Sequence, residues 1–448
     1  MISSPVLSDS VLAVCIFCIL LVPLAIAGLA IINTGLSRSR SAAHAMLASL
    51  CVVGLAAVVY LFLGFSWQGV AGRPAHVFTF AGRTWNWIAA APVPFRGPAF
   101  DGSFMSLAAW LEMLSVGLAA LIPLGAGADR WRLSASCFST ALLAAWTYPL
   151  FAHWVWGGGW LMQLGVNYGL GCGFVDAGGG STIQVLGGLT ALAIAWILGP
   201  RRGKYGLDGM PAAIPGHNSV LVLLGCLLAW TGWIGLNAAS AILFSGCDPG
   251  RVVLIGLNTT LAAASAALAG GTITRFRFGK PDASLTANAW VGGLVGISAA
   301  CAFVTPAAAL LVGVVAGVLV TFAVTAFEVH LGVDDPGGAI SVHGIAGIWG
   351  ILAVGLFARF PTAVRNGTTS AVSEPIAHGS GQMLAQLVGL ATLLGFVLPL
   401  TYGLNWLLNR LCQQRVAIEG EYQGMDLHEL GAGAYPEFVT HSEEFTQR

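Results

Sequence analysis

Apolar residues in this chain run in long blocks broken by short polar segments, and the blocks predict helices. Each block is about 18 to 25 residues long, enough for a helix to cross the ~30 Å hydrocarbon core of a bilayer. Eleven spans are predicted, near residues 12–34, 43–66, 104–126, 133–153, 182–199, 218–244, 252–272, 286–304, 307–330, 340–358 and 381–410. Composition agrees: 56% of residues are apolar, only 8% are charged, and the mean hydropathy is +0.81. So few charges cannot cover the surface of a water-soluble chain of 448 residues. The expected fold class is therefore an all-α integral membrane protein.

Two of these spans begin alike. Asp176 opens the run DAGGGSTIQ and Asp335 opens DPGGAISVH, and eight residues after each acid comes a polar side chain, Gln184 or His343. Gly188 and Gly347 follow one turn later, which lets another helix approach closely. A Gly-rich composition, 60 residues of 448, accounts for the glycines but not for the matched acid and matched polar residue. Polar groups in the same register of two apolar segments mark the pore of an inverted-repeat transporter. The expected architecture is two five-helix inverted repeats plus a final helix. A lone His in an apolar span is most often a satisfied core residue, but for His343 the shared register favours the pore.

Basic residues orient the spans. With the N-terminus outside, the inner loops hold Arg38, Arg40, Arg130, Arg132, Arg201, Arg202, Lys204, Arg275, Arg277 and Lys280, and the outer loops hold Arg73, Arg83, Arg96, Arg251, Arg359 and Arg365. Ten against six, with the tight clusters on one side, satisfies the positive-inside rule and leaves the C-terminus in the cytoplasm. The opening MISSPVLSDS has no basic n-region, so the first span is expected to serve as its own insertion signal in the plasma or inner membrane. Most of the nine cysteines lie in spans as small apolar fillers, whereas Cys172 and Cys247 fall in outer loops, which leaves a disulfide between them open. Net charge is zero and no basic cluster of nucleic-acid type occurs. With no HExxH, P-loop or GxSxG motif, neither an enzyme nor a cofactor or metal is expected.

From about Gly28 to Tyr435 the chain resembles the Amt/Mep/Rh ammonium transporter family, its Amt branch in particular. The segments that carry the likeness are GLSRSRSA (35–42), GAGADRWRL (125–133), AHWVWGGGWL (152–161), DAGGGSTIQ (176–184), GWIGLNAAS (232–240), GKPDASLTANAWVGGLVGIS (279–298) and VDDPGGAISVHGIAGIWG (333–350). They touch nearly every span and keep the family's order. The resemblance implies the ammonium-transporter fold and a homotrimer in which each subunit has its own pore.

Carried over by position, Trp156 and Ser240 match the family's outer ammonium-recruitment site. An indole face attracts a cation by ~0.5–2 kcal/mol and a hydroxyl accepts one N–H. The alternative for Trp156 is the interfacial aromatic belt. Asp176 matches the family's essential acid, and Asp335 is its counterpart in the second half; capping the next helix is the expected role. Trp233, in GWIGLNAAS, lies along the implied pore with Gln184, His343 and Leu236.

Three positions depart from the family. Gln184 stands at the first pore histidine and can accept a hydrogen bond but cannot titrate, which breaks the proton relay that the resemblance implies. The two phenylalanine gate positions fall on Ser115 and Leu236, so neither ring is present, unless a neighbour such as Trp110 fills the space. Glu112, one turn before Ser115, replaces a common glutamine. It would add charge attraction at the outer site, or else reach to an outer-loop partner. These changes strengthen polar contact with ammonium and weaken its stripping, gating and relay. An ammonium sensor is one reading, and a conducting ammonium transporter is the other.

Residues 1–411 thus form the membrane domain and 412–448 a cytoplasmic tail. The stretch EGEYQGMDLHELGAGAY (419–435) resembles the family tail on which PII-type regulators act. The extension PEFVTHSEEFTQR suits either a linker toward a signalling output domain or a disordered end. The expected partners are ammonium, the lipid bilayer and two further copies of the chain.

Overall fold

The computed structural model describes residues 7–69, 75–89, 100–360 and 381–435. Arg73, Arg96 and Arg365 of the charge count, and the extension 436–448, lie outside the described residues. Among the described residues, ten helices are long and apolar enough to cross a membrane. They are α1 (Asp9–Leu36), α2 (Ser39–Gln68), α3 (Phe104–Gly127), α4 (Leu133–Val155), α5 (Gly180–Leu198), α6 (Ser219–Ser245), α7 (Pro249–Phe278), α9 (Pro306–Val329), α10 (Ile340–Phe357) and α11 (Gln382–Leu411).

The span expected at 286–304 is shorter than crossing length. Its helix, α8 (Ala283–Ser298), has 16 residues and gives way to turns through Phe303. Those turns are fully buried, and their backbone does not go unsatisfied. Asn258 of α7 donates through Nδ2 to the carbonyls of Cys301 and Val304, each at 2.9 Å. Non-helical backbone at membrane depth is tolerated where protein satisfies it, so the helix can stop early.

Local sequence sets the helix ends. Asn218 Oδ1 accepts from Leu221 N at 3.0 Å to start α6, and Asp282 Oδ1 accepts from Leu285 N at 2.8 Å to start α8. Gly246 and Gly279, with φ of 62° and 75°, end α6 and α7 in the left-handed conformation that glycine adopts freely. Helix α1 packs along α6, and small residues make that approach close. A methyl on Gly28 would fall 2.8 Å from Ala229 Cα, and one on Gly232 would fall 2.7 Å from Ala25 Cα. The neighbours α2–α3 and α3–α5 in the first half reappear as α7–α8 and α8–α10 in the second.

One element departs from an all-helical expectation. Strands β1 (Ala75–Phe80) and β2 (Arg83–Ala89) form an antiparallel hairpin between α2 and α3. Its turn is Ala81-Gly82, with φ of 50° and 71°, a positive pair of the kind that matches strand twist. No disulfide forms among the described residues, so Cys172 and Cys247 are not joined. Cys15 and Cys18, a C-x-x-C spacing within α1, are buried apolar packing.

The face bearing the loops 37–42, 128–132 and 199–218 is tied by buried ions. Arg201 binds Asp334 through Nε at 2.9 Å and Asp129 through Nη1 at 3.0 Å. Burial would raise the Asp334 carboxyl, but Arg130 and Arg201 outweigh it and bring it to about 2. The C-terminal segment straps across this face. Asp426 accepts from the first-turn amides of α2, His44 N at 2.7 Å and Ala43 N at 3.2 Å. Glu429 accepts from Leu133 N at the start of α4 and pairs with His44 Nε2, both at 2.8 Å. Acids at helix N-termini are favourably placed against the helix dipole. Short helix α12 (Ile418–Gln423) carries Glu421, bonded to Arg202 N at 2.6 Å and Arg415 Nη2 at 2.8 Å.

Candidate functional site

Helices α5 and α10 open in the same way, each with a π-helical turn, Gly180–Val185 and Ile340–Ile345. Such turns are rare and cluster at functional sites. An acid anchors each. Asp176 Oδ1 accepts from Gly179 N at 2.9 Å and Gly180 N at 2.7 Å, while Oδ2 accepts from Ser181 N at 2.7 Å and Ser181 Oγ at 2.6 Å. Asp335 does the same more sparsely, from Ala339 N at 3.0 Å and Ile340 N at 2.7 Å. Burial pushes the Asp335 carboxyl up to about 6, against the pull of those two amides.

The wide turns bring Gln184 and His343 together. Gln184 Oε1 accepts from His343 Nδ1 at 2.7 Å, with both residues buried. An amide oxygen is an acceptor only, so the bond assigns the proton to Nδ1 and leaves Nε2 as the imidazole lone pair. Gln184 Nε2 is buried without a partner. The glycines one turn on allow the crossing. A methyl on Gly188 would lie 2.7 Å from Gly344 Cα, and one on Gly347 would lie 2.6 Å from Val185 Cγ2.

A second group gathers at the far ends of α4 and α6, away from the strap. Trp156 follows α4, and its Nε1 donates to the Asp176 carbonyl at 2.7 Å. The indole lies flat on Phe244, with centroids 4.6 Å apart and planes 12° apart. Ser240, fully buried on α6, has a hydroxyl with no partner. Ser115 is buried on α3 and bonds back to Leu111 O at 2.9 Å. Leu236 is buried without a ring beside Trp233, whose Nε1 donates to Ser298 Oγ at 3.0 Å.

Glu112 is enclosed. Gln68 Nε2 donates to Oε1 at 2.6 Å and Tyr148 donates to Oε2. The Gln68 oxygen in turn accepts from Tyr60 at 2.7 Å, and His153 Nδ1 donates to the Gln68 carbonyl at 2.6 Å. The partners therefore come from α2 and α4, not from an outer loop. Trp110, the neighbour considered for the gate, packs at the edge of the core, whereas the ring on Trp156 belongs to Phe244.

Sequence reading missed Gln68, Tyr148, Phe244 and Ser341. Ser341, two residues before His343, has a buried hydroxyl without a partner. The i,i+4 spacing of Ser240 and Phe244 on one helix face was the signal available for Phe244.

Residues 13–435 match the Ammonium Transporter Family. The chain belongs to the ammonium transporter family. It is 36% identical over 423 residues to the ammonium transporter Amt2 of Archaeoglobus fulgidus, covering 92% of this chain and 85% of that one. It is 30% identical to an ammonium transporter of Bacillus subtilis, covering 94% of this chain and 96% of the relative. Among solved structures, one named Sensor Amt Protein superposes with a TM-score of 0.80 at 28% identity, over 94% of this chain and 98% of that one. Candida albicans Mep2 shares the fold, with a TM-score of 0.76 at 24% identity over 96% and 91% of the two chains. An ammonium transporter family chain of this kind is a multi-pass membrane protein, and the family is not one of enzymes.

Proposed function

We propose that this ammonium transporter family protein binds ammonium in the membrane and conducts it weakly or not at all, acting as a sensor. The observation that carries the reading is the bond from His343 Nδ1 to Gln184 Oε1 at 2.7 Å. A titrating partner at that position could take and return a proton, and an amide cannot. Ammonium entering the bundle must lose its water, which is costly unless each lost hydrogen bond is replaced. Trp156 and the unpartnered hydroxyl of Ser240 replace some of them at the outer group, with Ser115 and Leu236 lining the way inward past Trp233. Glu112, held by Gln68 and Tyr148, fixes the wall beside that site.

In this reading the chain is a homotrimer with its N-terminus outside and its C-terminus cytoplasmic. The repeated helix neighbours support two inverted five-helix halves plus α11. The strap 412–435 reports occupancy to a PII-type regulator or a signalling output domain, through a population shift between bound and empty states. The structural likeness to the Sensor Amt Protein supports it. The second reading, a conducting ammonium transporter, is favoured by the 36% identity to Amt2 of Archaeoglobus fulgidus.

The deciding experiment is an ammonium pulse applied to the full chain in liposomes, with current recorded beside that of a conducting family member. Binding without current supports the sensor. Robust, saturable current overturns it and restores the transporter.

A further inference from the structure

Helix α7 ends on the strap side of the bundle. Its neighbour α9 ends there too, where Tyr205 of the loop 199–218 donates to Glu328 O at 2.9 Å. The last turn of α7 carries Arg275 and Arg277, and Lys280 follows in the turn to α8. All three are exposed, and among the described residues none has a carboxylate within ion-pair reach. The nearest acid in sequence, Asp282, caps α8 through Leu285 N. Arg277 is steadied by two rings, its guanidinium carbon lying 5.2 Å from the centroid of Phe278 and 5.3 Å from that of Phe322 on α9. Apolar surface adjoins the cluster, with Phe276 85% exposed and Phe322 49% exposed. The strap-side end of α11 has the same pairing, Arg410 lying 4.9 Å over the exposed ring of Trp406. Arginines on aromatic rings at the same end of two apolar helices mark the level where acyl chains give way to headgroups.

We propose that Arg275, Arg277 and Lys280 bind the phosphate headgroup of an anionic phospholipid in the strap-side leaflet, with Phe276 and Phe322 against its acyl chains. With the C-terminus cytoplasmic, that leaflet is the inner one. A guanidinium presents a fork of weakly hydrated donors that matches phosphate, and Lys280 adds a point charge beside it. The rings beside Arg277 hold its head at the surface, so less freedom is lost when the headgroup arrives. Three cations with no acid among them favour a headgroup of net negative charge over a zwitterionic one, by about fivefold in affinity for each cation. A free phosphate would meet the same cations but cover none of the exposed rings, so the lipid form of the group fits the whole patch. A second copy of the chain is the other candidate occupant, but an arginine–aromatic pair recurring on α11 at the same end is a property of a bilayer level. The site is independent of what the pore binds.

The test uses the full chain in detergent, titrated with dioleoylphosphatidylglycerol or dioleoylphosphatidylcholine, with bound lipid counted by native mass spectrometry. The wild type should bind phosphatidylglycerol about tenfold or more tightly than phosphatidylcholine. In the triple variant Arg275→Gln, Arg277→Gln, Lys280→Gln that preference should fall to about twofold or less. Arg275→Lys with Arg277→Lys keeps the charge and should keep most of the preference, which separates loss of charge from loss of fold. Lys280→Gln alone, in an exposed turn, should lower the preference by up to about fivefold and stands in if the triple variant does not fold. Equal affinity of the wild type for the two lipids, or an unchanged preference in a folded triple variant, overturns the site. Displacement of the bound phosphatidylglycerol by millimolar inorganic phosphate would make it a site for the free anion. A lower oligomer mass in the triple variant with its lipid preference intact would make the cluster a contact between copies. Either of these results overturns the lipid assignment.

Discussion

His343 Nδ1 donates to Gln184 Oε1 at 2.7 Å, across two helices whose π-helical first turns lie in matching register. The bond gives the histidine one tautomer and gives Gln184 no proton to exchange. Gln184→Glu would place a titratable group opposite the imidazole, and current in liposomes is expected to rise above wild type. Gln184→His should fall short of full conduction, because Ser115 and Leu236 remain. Gln184→Leu leaves the Nδ1 proton buried without an acceptor, which costs about 1–3 kcal/mol in stability. A leucine variant with the wild-type unfolding midpoint would show that the pair is not closed as described.

Asp176 holds the start of α5 through both of its oxygens, and its carbonyl holds Trp156. Asp176→Asn keeps the volume but turns an amide N–H toward backbone N–H groups that need an acceptor. We expect a loss of about 3 kcal/mol or more, since hydrogen bonds to a buried charged group are the strong ones. Ammonium affinity should fall in the same variant, because the indole loses its anchor. A thermal unfolding midpoint within a degree or two of wild type would refute the anchoring role.

The twin acids, the pairing of Gln184 with His343 and the run of apolar helices were all legible, because each leaves a periodic or matched mark on the chain. What was not legible depended on where separate helices meet. Glu112 left open a charge offered to a cation or a reach to an outer-loop partner, since nothing near it in sequence names Gln68 or Tyr148 as its partners. The early stop of α8 was not legible for a similar reason. Asn258, some forty residues away, satisfies the carbonyls that let that helix stop after 16 residues. The β1–β2 hairpin is short and lies between long apolar runs that dominate the pattern, and its mark in the sequence is the Ala81-Gly82 turn between β-prone residues. Phe244 was not legible because its stack on Trp156 joins two helices far apart in sequence.

Two neighbouring acids respond to pH in opposite directions. Asp335 sits near 6 in the folded chain, above the ordinary carboxyl value of about 4. Between those values the folded form keeps a proton that the unfolded form has lost, so the Asp335 contribution to stability declines as pH rises through that window. Asp334, brought to about 2 by Arg130 and Arg201, contributes stability above its unfolded value and loses it as pH falls toward 2. Asp335→Asn should therefore flatten the slope of unfolding midpoint against pH between about 4 and 6, where one proton sets at most about 1.4 kcal/mol per pH unit. The same slope in wild type and variant would show that Asp335 does not titrate there.

The strap is held by acids that cap helices, alongside the buried side chains of Val416 and Met425. Asp426 caps α2 through Ala43 and His44, and Glu429 caps α4 through Leu133 while pairing with His44. Burial would raise the Glu429 carboxyl, but His44 and the Leu133 amide outweigh it and hold it below the usual range. Its docking contribution is thus complete at neutral pH and is lost as pH falls through that lowered value. Replacing both acids, as Asp426→Asn with Glu429→Gln, should weaken docking by about 1 kcal/mol for each cap removed. Limited proteolysis within residues 416–435 should then accelerate about tenfold or more, since cleavage follows the population of the open form. Unfolding of the helical bundle itself should move little. A strap cleaved at the wild-type rate in the double variant would mean that other contacts hold it, such as Glu421 with Arg415. The route from ammonium occupancy to the tail would then have to run through those instead.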